Sequence, residues 1–388
     1  SDEILRSVEK ELYGYLSSEK PEIFAQPLPL DNTLSNLDFN NPADYEFDFE
    51  IGLKPTFEIA DLSKAKLTRN NVEVTKEMVD EEISRMQVKA GKMTEPEVVD
   101  NDENVLNILF TETDKDGNAV EAGVSKENSV LLKYLQPAVK KEFTGKSNGF
   151  STVHTLGEMF EGDKLDAISN DLGLTPADAD KTFKLELVKI GLVEKREMNE
   201  EFFNEVFPGK GITTEDGLRD ALKEEIKLYW DAQSRNQLHD QLYHYLIDET
   251  KMEFPDTFLK RWLQNGGETP KTAEQAETEF PQFSNQLKWT LISDRLITEN
   301  KLDVSQDELR DHMRGEVSRY FGQMNMGEDM SWLDSYLDRM MKDEKQVDAT
   351  YRRLVTEKLF NYVESQVKAK DEKVTAEELT AMQHNHQH

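Results

Sequence analysis

From about residue 199 to the C-terminus, apolar side chains recur at helical spacing with scarcely a break. The longest single run, residues 218–250, carries Leu222, Ile226, Tyr229, Leu238, Leu242, Tyr245 and Leu246 on one face. A stripe of that length predicts one helix of about nine turns. Such a helix cannot bury its own apolar face, so it needs helical neighbours. The sequence supplies them. Pro255 opens a second helix and Gly266 with Gly267 stops it, and helical spacing returns over residues 287–300, 305–321, 331–341 and 347–368. The residues from Met382 onward read as a frayed polar tail.

The first half has another texture. Ile4, Leu5, Val8, Leu12, Tyr15 and Leu16 predict an opening amphipathic helix, ended by Pro21, Pro27 and Pro29. Residues 45–51 alternate apolar and acidic, the period of a strand with one buried face. Val72 and Val74 predict a short strand, after which Thr75 caps a helix carrying Met78, Val79, Ile83 and Met86. Strands are expected over residues 105–111, 129–135 and 182–195, with Gly, Asp and Asn turns between them and a short helix over residues 165–172. Residues 97–197 thus predict a small α+β module.

Length and charge narrow the function classes. A chain of 388 residues exceeds the ~250–300 at which one core stops growing, so several domains are expected. With 47 Lys plus Arg against 78 Asp plus Glu, the formal charge is 47 − 78 = −31, which disfavours direct DNA binding and anionic membranes. Aromatics at 9% argue against a disordered chain, and only 37% hydrophobic residues suit a thin, elongated body. Without cysteine there is no disulfide, thiolate nucleophile or Cys-based zinc site. No apolar run approaches the ~20 residues of a membrane span. The chain begins Ser1-Asp2-Glu3, not with Met.

Motifs of cofactor chemistry fail on inspection. Thr144-Gly145-Lys146-Ser147 ends like a phosphate loop, but Lys140 stands where the first Gly belongs, so a polar turn is expected. Asp114-x-Asp116-x-Asn118 begins like a calcium loop, yet Ala119 and Ser125 replace its Gly and closing Glu. Lys115-Asp116-Gly117-Asn118 reads instead as a hairpin turn. His239 and His244 are five apart, poor spacing for one metal, and His384, His386 and His388 suit at most weak tail binding. No cofactor and no metal are expected.

Six of the 13 methionines fall between Met313 and Met341, interleaved with Tyr320, Phe321, Trp332 and Tyr336. One reading is helix core. The other is an adaptable apolar surface, because Met is flexible and polarizable. Both predict the same spacing.

Taken in order, these segments resemble the trigger factor family of bacterial chaperones. Residues 1–16 and the Pro-rich residues 20–30 are similar to the second half of its ribosome-binding domain. Residues 45–54 with Pro55, Thr56, Phe57 and Glu58 match the strand that closes it. Val72-Glu73-Val74-Thr75 and the following helix resemble the family's linker. Residues 183–195 running into Asn199-Glu200-Glu201-Phe202-Phe203 match the last strand of the middle domain and the start of the helical one. The resemblance implies an α+β multidomain chain: residues 1–70 from the ribosome-binding domain, 71–96 the linker, 97–197 an FKBP-like middle domain, and 198–388 an elongated helical domain that holds clients.

It further implies a chaperone of nascent or unfolded polypeptides, cytoplasmic, docking on the ribosome in full-length form and able to form a homodimer. Two departures stand out. The family's Gly-Phe-Arg-x-Gly-x-x-Pro docking loop is absent, since Gly149-Phe150 continues as Ser-Thr-Val-His, so the chain is read as starting downstream of it. The family's prolyl-isomerase motifs, Asp-Phe-x-Gly and Val/Ile-Pro-Gly-Phe/Leu-Glu, are also missing. The first reads Leu109-Phe110-Thr111-Glu112, and Leu135-Gln136-Pro137-Ala138-Val139 is the nearest context for the second. Leu109, Phe110, Tyr134, Phe143 and Phe150, with Phe160, are the residues expected to line a degenerate groove. An isomerase needs fixed polar groups for the twisted amide as well as aromatics, so weak or absent activity is expected. For client contact the expected residues are Met313, Tyr320, Phe321, Met324, Met326, Met330, Trp332, Tyr336 and Met340. The alternatives are an active isomerase with an altered pocket, and a periplasmic parvulin-type chaperone. The latter would need paired histidines where this module has only His154.

Overall fold

The structure is a computed structural model, and it describes residues 2–30, 43–323 and 331–384. The chain divides into two units, Ser1–Val72 with Trp230–His388, and Glu73–Tyr229.

The first unit begins with helix α1 (Asp2–Glu19), strands β1 (Leu28–Pro29) and β2 (Phe49–Glu50), and strand β3 (Thr68–Val72). The expected strand over residues 45–51 is therefore much shorter. Only Phe49 and Glu50 pair, with Pro29 and Leu28, beside a single bridge between Ile23 and Leu53. The partner segment explains this: Pro27 and Pro29 have no N–H to donate to a longer ladder.

The second unit opens with α2 (Lys76–Lys89), whose N-cap Thr75 accepts the Met78 N–H at 3.3 Å. Then come β4 (Lys92–Thr94), β5 (Asn104–Thr113), β6 (Ser125–Leu131), α3 (Pro137–Phe143), β7 (Ser151–Thr155), α4 (Leu156–Met159), α5 (Gly162–Asp171), β8 (Thr182–Glu194) and α6 (Glu200–Val206). The sheet runs β4-β8-β5-β6, and β7 pairs with β8 along residues 182–186 on the edge away from β5. All its pairings are antiparallel. The strand expected over residues 129–135 lies four residues earlier. Beyond Leu131 the chain turns into a 3-10 helix, because β5 ends opposite it and the Lys133 N–H finds the Asp102 carbonyl instead. Gly117 at φ 84° makes the expected hairpin turn, and Gly145 at φ 80° sits in the expected polar turn.

Alternation along β5 sends Leu106, Ile108 and Phe110 into a core shared with Phe183, Leu185 and Leu187 of β8 and closed by Val139 and Phe143 of α3. A separate cluster joins Val79 and Ile83 of α2 to Phe202, Phe203, Leu218 and Leu222. There the Arg219 guanidinium meets Asp80 at 2.6 Å.

Helix α7 (Glu215–Glu249) contains the boundary between the units. Of its predicted apolar face, Leu222, Leu238, Leu242 and Leu246 are buried, whereas Tyr229 is 56% exposed. The first unit resumes with α8 (Asp256–Asn265), α9 (Ala273–Glu299), α10 (Gln306–Gln323), α11 (Leu333–Met340), α12 (Glu344–Ser365), β9 (Lys370–Val374) and α13 (Ala376–His384). Helix α9 starts well before residue 287 because Thr272 and Gln275 form a capping box, and it carries Pro281 inside it.

The C-terminal region is not wholly helical. Strand β9 pairs in parallel with β3, Thr68 opposite Lys370 and Val72 opposite Val374. Residues 382–384, expected to fray, continue α13, while His386 and His388 lie outside the described residues. Two apolar clusters hold this unit: one around Leu238, Leu242, Ile292, Leu296, Leu359 and Val363, the other around Leu309, Met313, Val317, Leu333 and Leu337.

Candidate functional site

The middle sheet was expected to hold a degenerate groove. The five residues named for it do not share one surface. Phe110 and Phe143 are fully buried, and Phe110 meets Phe183 edge-on at 6.2 Å between ring centroids. Leu109 is half-buried on the opposite face of β5, as period two requires. Phe150 is half-buried against Phe143 at 5.3 Å, and Tyr134 is 40% exposed elsewhere, with the Lys164 ammonium 4.0 Å from its ring centroid. Phe160 is 2% exposed in the same core. Phe110, Phe143 and Phe160 therefore belong to the core of the module, with Phe150 packed at its margin.

The polar group nearest the missing motif is committed locally. Glu112, which stands where the resemblance expects Gly, is only 12% exposed at its side chain. Its carboxylate accepts the Val124 N–H at 3.0 Å and faces the Lys181 ammonium at 3.1 Å. The Val124 amide foremost, with Lys181, holds the group below its usual range against the cost of burial. Glu112 is thus committed to the turn that follows β5. His154, the only histidine of the module, has its two ring nitrogens facing Glu142 at 2.8 Å and Glu158 at 3.5 Å.

The other expected site lies on α10 and α11. Met313 is 1% exposed and belongs to the helix core, the first of its two readings. Met324, Met326 and Met330 lie outside the described residues. The remaining five come together. Phe321 stands edge-on to Tyr320, Trp332 and Tyr336 at 5.2, 4.8 and 6.1 Å, and Trp332 meets Tyr336 at 5.7 Å. Met340 packs against the same cluster. Leu333 and Leu337 turn inward, so spacing along α11 leaves Trp332, Tyr336 and Met340 half-buried at the margin. Tyr320 is 60% exposed. Arg310 of α10 pairs with Asp338 and Asp334 of α11 and Arg314 with Asp334, while Arg339 lies above the Tyr336 ring. Edge-to-face aromatics held by a leucine core form a pre-ordered apolar surface that loses little side-chain entropy on contact.

A second apolar surface in this unit was not singled out from sequence. Ile4, Val8 and Leu12 of α1 face Tyr45, Phe47 and Phe49 across a groove of about 660 Å³. Both stripes were legible, one at helical spacing and one at period two. That they face each other was not, because it depends on packing between segments distant in sequence, which neither period encodes. Among the described residues no group of His, Asp and Glu is arranged to hold a metal ion, and no helix is long and apolar enough to cross a membrane.

Comparison with known proteins follows the same order along the chain. Residues 1–86 match the family described as bacterial trigger factor protein. Residues 93–195 match the probable trigger factor FKBP-like domain, and residues 234–383 the probable trigger factor C-terminal domain. A trigger factor of Chlorobaculum parvum is 25% identical over 302 residues, 74% of this chain and 67% of that protein. One of Salinibacter ruber is 20% identical over 349 residues, 85% of this chain and 73% of its own length. A solved structure of the trigger factor chaperone, described for promiscuous substrate recognition in folding and assembly, covers 92% of this chain and 83% of that one. Its TM-score is 0.47 at 15% identity, a likeness too loose to carry an argument about geometry here.

Proposed function

This chain belongs to the trigger factor family of chaperones, and from that premise we propose that it holds unfolded polypeptides without turning over their prolyl bonds. The observation that carries the proposal is the aromatic cluster of Tyr320, Phe321, Trp332 and Tyr336, ordered by mutual edge contacts yet left half-open. Such a surface binds many sequences weakly, and weak contact suits a holder whose clients must leave to fold. The charge of −31 keeps a protein with open apolar patches soluble and favours clients with basic segments. Met324, Met326 and Met330 extend the same reading by sequence alone.

The assignment of holding to residues 198–388, and of a degenerate isomerase to residues 97–197, is part of this proposal, as are the boundaries at residues 70 and 96. So are contact with nascent chains at the ribosome, a homodimer and a cytoplasmic location, all of which rest on family membership. What supports a lost isomerase is the burial of Phe110 and Phe143 and the committed carboxylate of Glu112. The parvulin alternative is set aside, since the three family matches follow trigger factor order along the chain. The test is aggregation suppression of an unfolded client, run beside a proline-limited refolding assay. Suppression with no acceleration is expected. Acceleration at ordinary isomerase efficiency restores the reading of an active enzyme with an altered pocket.

A further inference from the structure

A cavity of about 900 Å³ opens beside α3 in the second unit, lined by Lys133, Tyr134, Gln136, Lys140, Lys141 and Lys164 among others. Four lysines around one cavity are unexpected in a chain of net charge −31. Two of them are already neutralised: Lys133 meets Glu103 at 2.8 Å and Lys140 meets Asp102 at 2.7 Å. Lys141 and Lys164 have no carboxylate within 4.0 Å among the described residues, although Glu161 and Asp163 also line the cavity. The Lys164 ammonium lies 4.0 Å from the centroid of the Tyr134 ring, which fixes it in place and occupies that ring.

This is not a prolyl pocket. Its aromatic ring is already engaged by a cation, and Phe110, Phe143 and Phe160 do not line it. What the cavity offers is two ammonium groups without a carboxylate partner, Lys164 held over Tyr134 and Lys141, beside the side-chain amide of Gln136. The Thr144 hydroxyl donates to the Lys140 carbonyl at 2.8 Å, so it is left as an acceptor only. Ammonium groups and an amide N–H recognise an anionic oxygen.

We propose that this cavity takes an aspartate or glutamate side chain of an extended polypeptide, with Lys141 and Lys164 as its cationic contacts. The inference rests on the chaperone reading above and refines it. A body of −31 selects against acidic clients by long-range repulsion, and this cavity supplies a local place where an acidic segment is retained. The contacts are exposed, so binding is weak and falls with salt.

The test uses the full chain and a fluorescent extended peptide bearing two Glu residues, compared with the same peptide bearing Gln or Lys, by anisotropy at low and physiological salt. The Glu peptide is expected to bind more tightly than the Gln peptide, with the advantage shrinking as salt rises. The Lys141→Gln/Lys164→Gln variant should weaken the Glu peptide by about tenfold and leave the Gln peptide unchanged. The Lys141→Glu/Lys164→Glu variant should invert the order, binding the Lys peptide best. Equal binding of Glu and Gln peptides by the wild type overturns the proposal, as does an order that survives charge reversal. Displacement by low-millimolar inorganic phosphate of both peptides alike also overturns it, because the anion bound would then be free phosphate. The chaperone reading is judged separately, by aggregation suppression of a neutral client, which the lysine variants should retain.

Discussion

The Phe321 ring stands edge-on to Trp332, centroids 4.8 Å apart and planes at 74°. Phe321 lies near the end of α10 and Trp332 immediately before α11, so this contact ties the two helices at the margin of their shared leucine core. On the proposed function, client contact and packing meet in that pair. Burying both rings completely would give more stability but no surface; leaving both open would cost order.

The middle module should not catalyse proline isomerisation. Added to a protein whose refolding is limited by an X-Pro bond, the chain is expected to leave the slow phase at its uncatalysed rate, tens to hundreds of seconds. A shortening of that phase in proportion to added chain contradicts the closed core around Phe110 and Phe143.

Stability of the first unit should depend on an amide clamp between β3 and α7. Gln241 accepts the Thr68 N–H at 3.1 Å and donates to the Thr68 carbonyl at 2.9 Å, while the Asn70 amide donates to Gln237 at 3.0 Å. Asn70 and Gln237 are 4% and 6% exposed. Gln237→Ala leaves a buried donor without a partner, a cost of about 1–3 kcal/mol. Urea denaturation followed by circular dichroism measures it.

Acid should weaken the same unit through Glu364, which faces Arg69 at 3.3 Å, Arg235 at 3.1 Å and His239 at 2.8 Å. Burial pushes this carboxyl up, but the hydrogen bonds and charges of His239 and Arg235 outweigh it and hold the group below its ordinary 4.5. A carboxyl depressed in the folded state stabilises above its unfolded value, and that contribution is lost as pH falls through the folded one. Melting temperature should therefore drop below about pH 5. Glu364→Gln should be less stable at pH 7 and show a shallower acid decline. An unchanged slope contradicts the assignment.

How much of this was legible in the sequence follows the range of each interaction. Thr75 as a helix cap and Gly117 as a turn are local, and spacing alone placed them. The pairing of β3 with β9 is not local. Lys370-Asp371-Glu372-Lys373-Val374 lacks alternation because β9 is largely open to water and no buried face imposes a period on it, whereas its partner β3 buries Asn70 and Val72. Phe110 shows a different limit. Period two put it opposite Leu109, yet a strand pattern does not say which face a helix will cover, so a core residue was read as a groove. The aromatic patch was half legible: composition marked the region, whereas the burial of Met313 against the openness of Tyr320 depended on the phase of α10.

The central claim, that clients are held on the aromatic margin of α10 and α11, is tested most directly by aggregation suppression with the Tyr320→Ser/Tyr336→Ser variant. Its circular dichroism and melting should first be matched to the wild type, since Leu333 and Leu337 carry the core. The expected result is a rise of about tenfold in the concentration needed for half-suppression. Suppression at the wild-type concentration by a folded variant would contradict the account, and the patch would then be no more than the edge of a core.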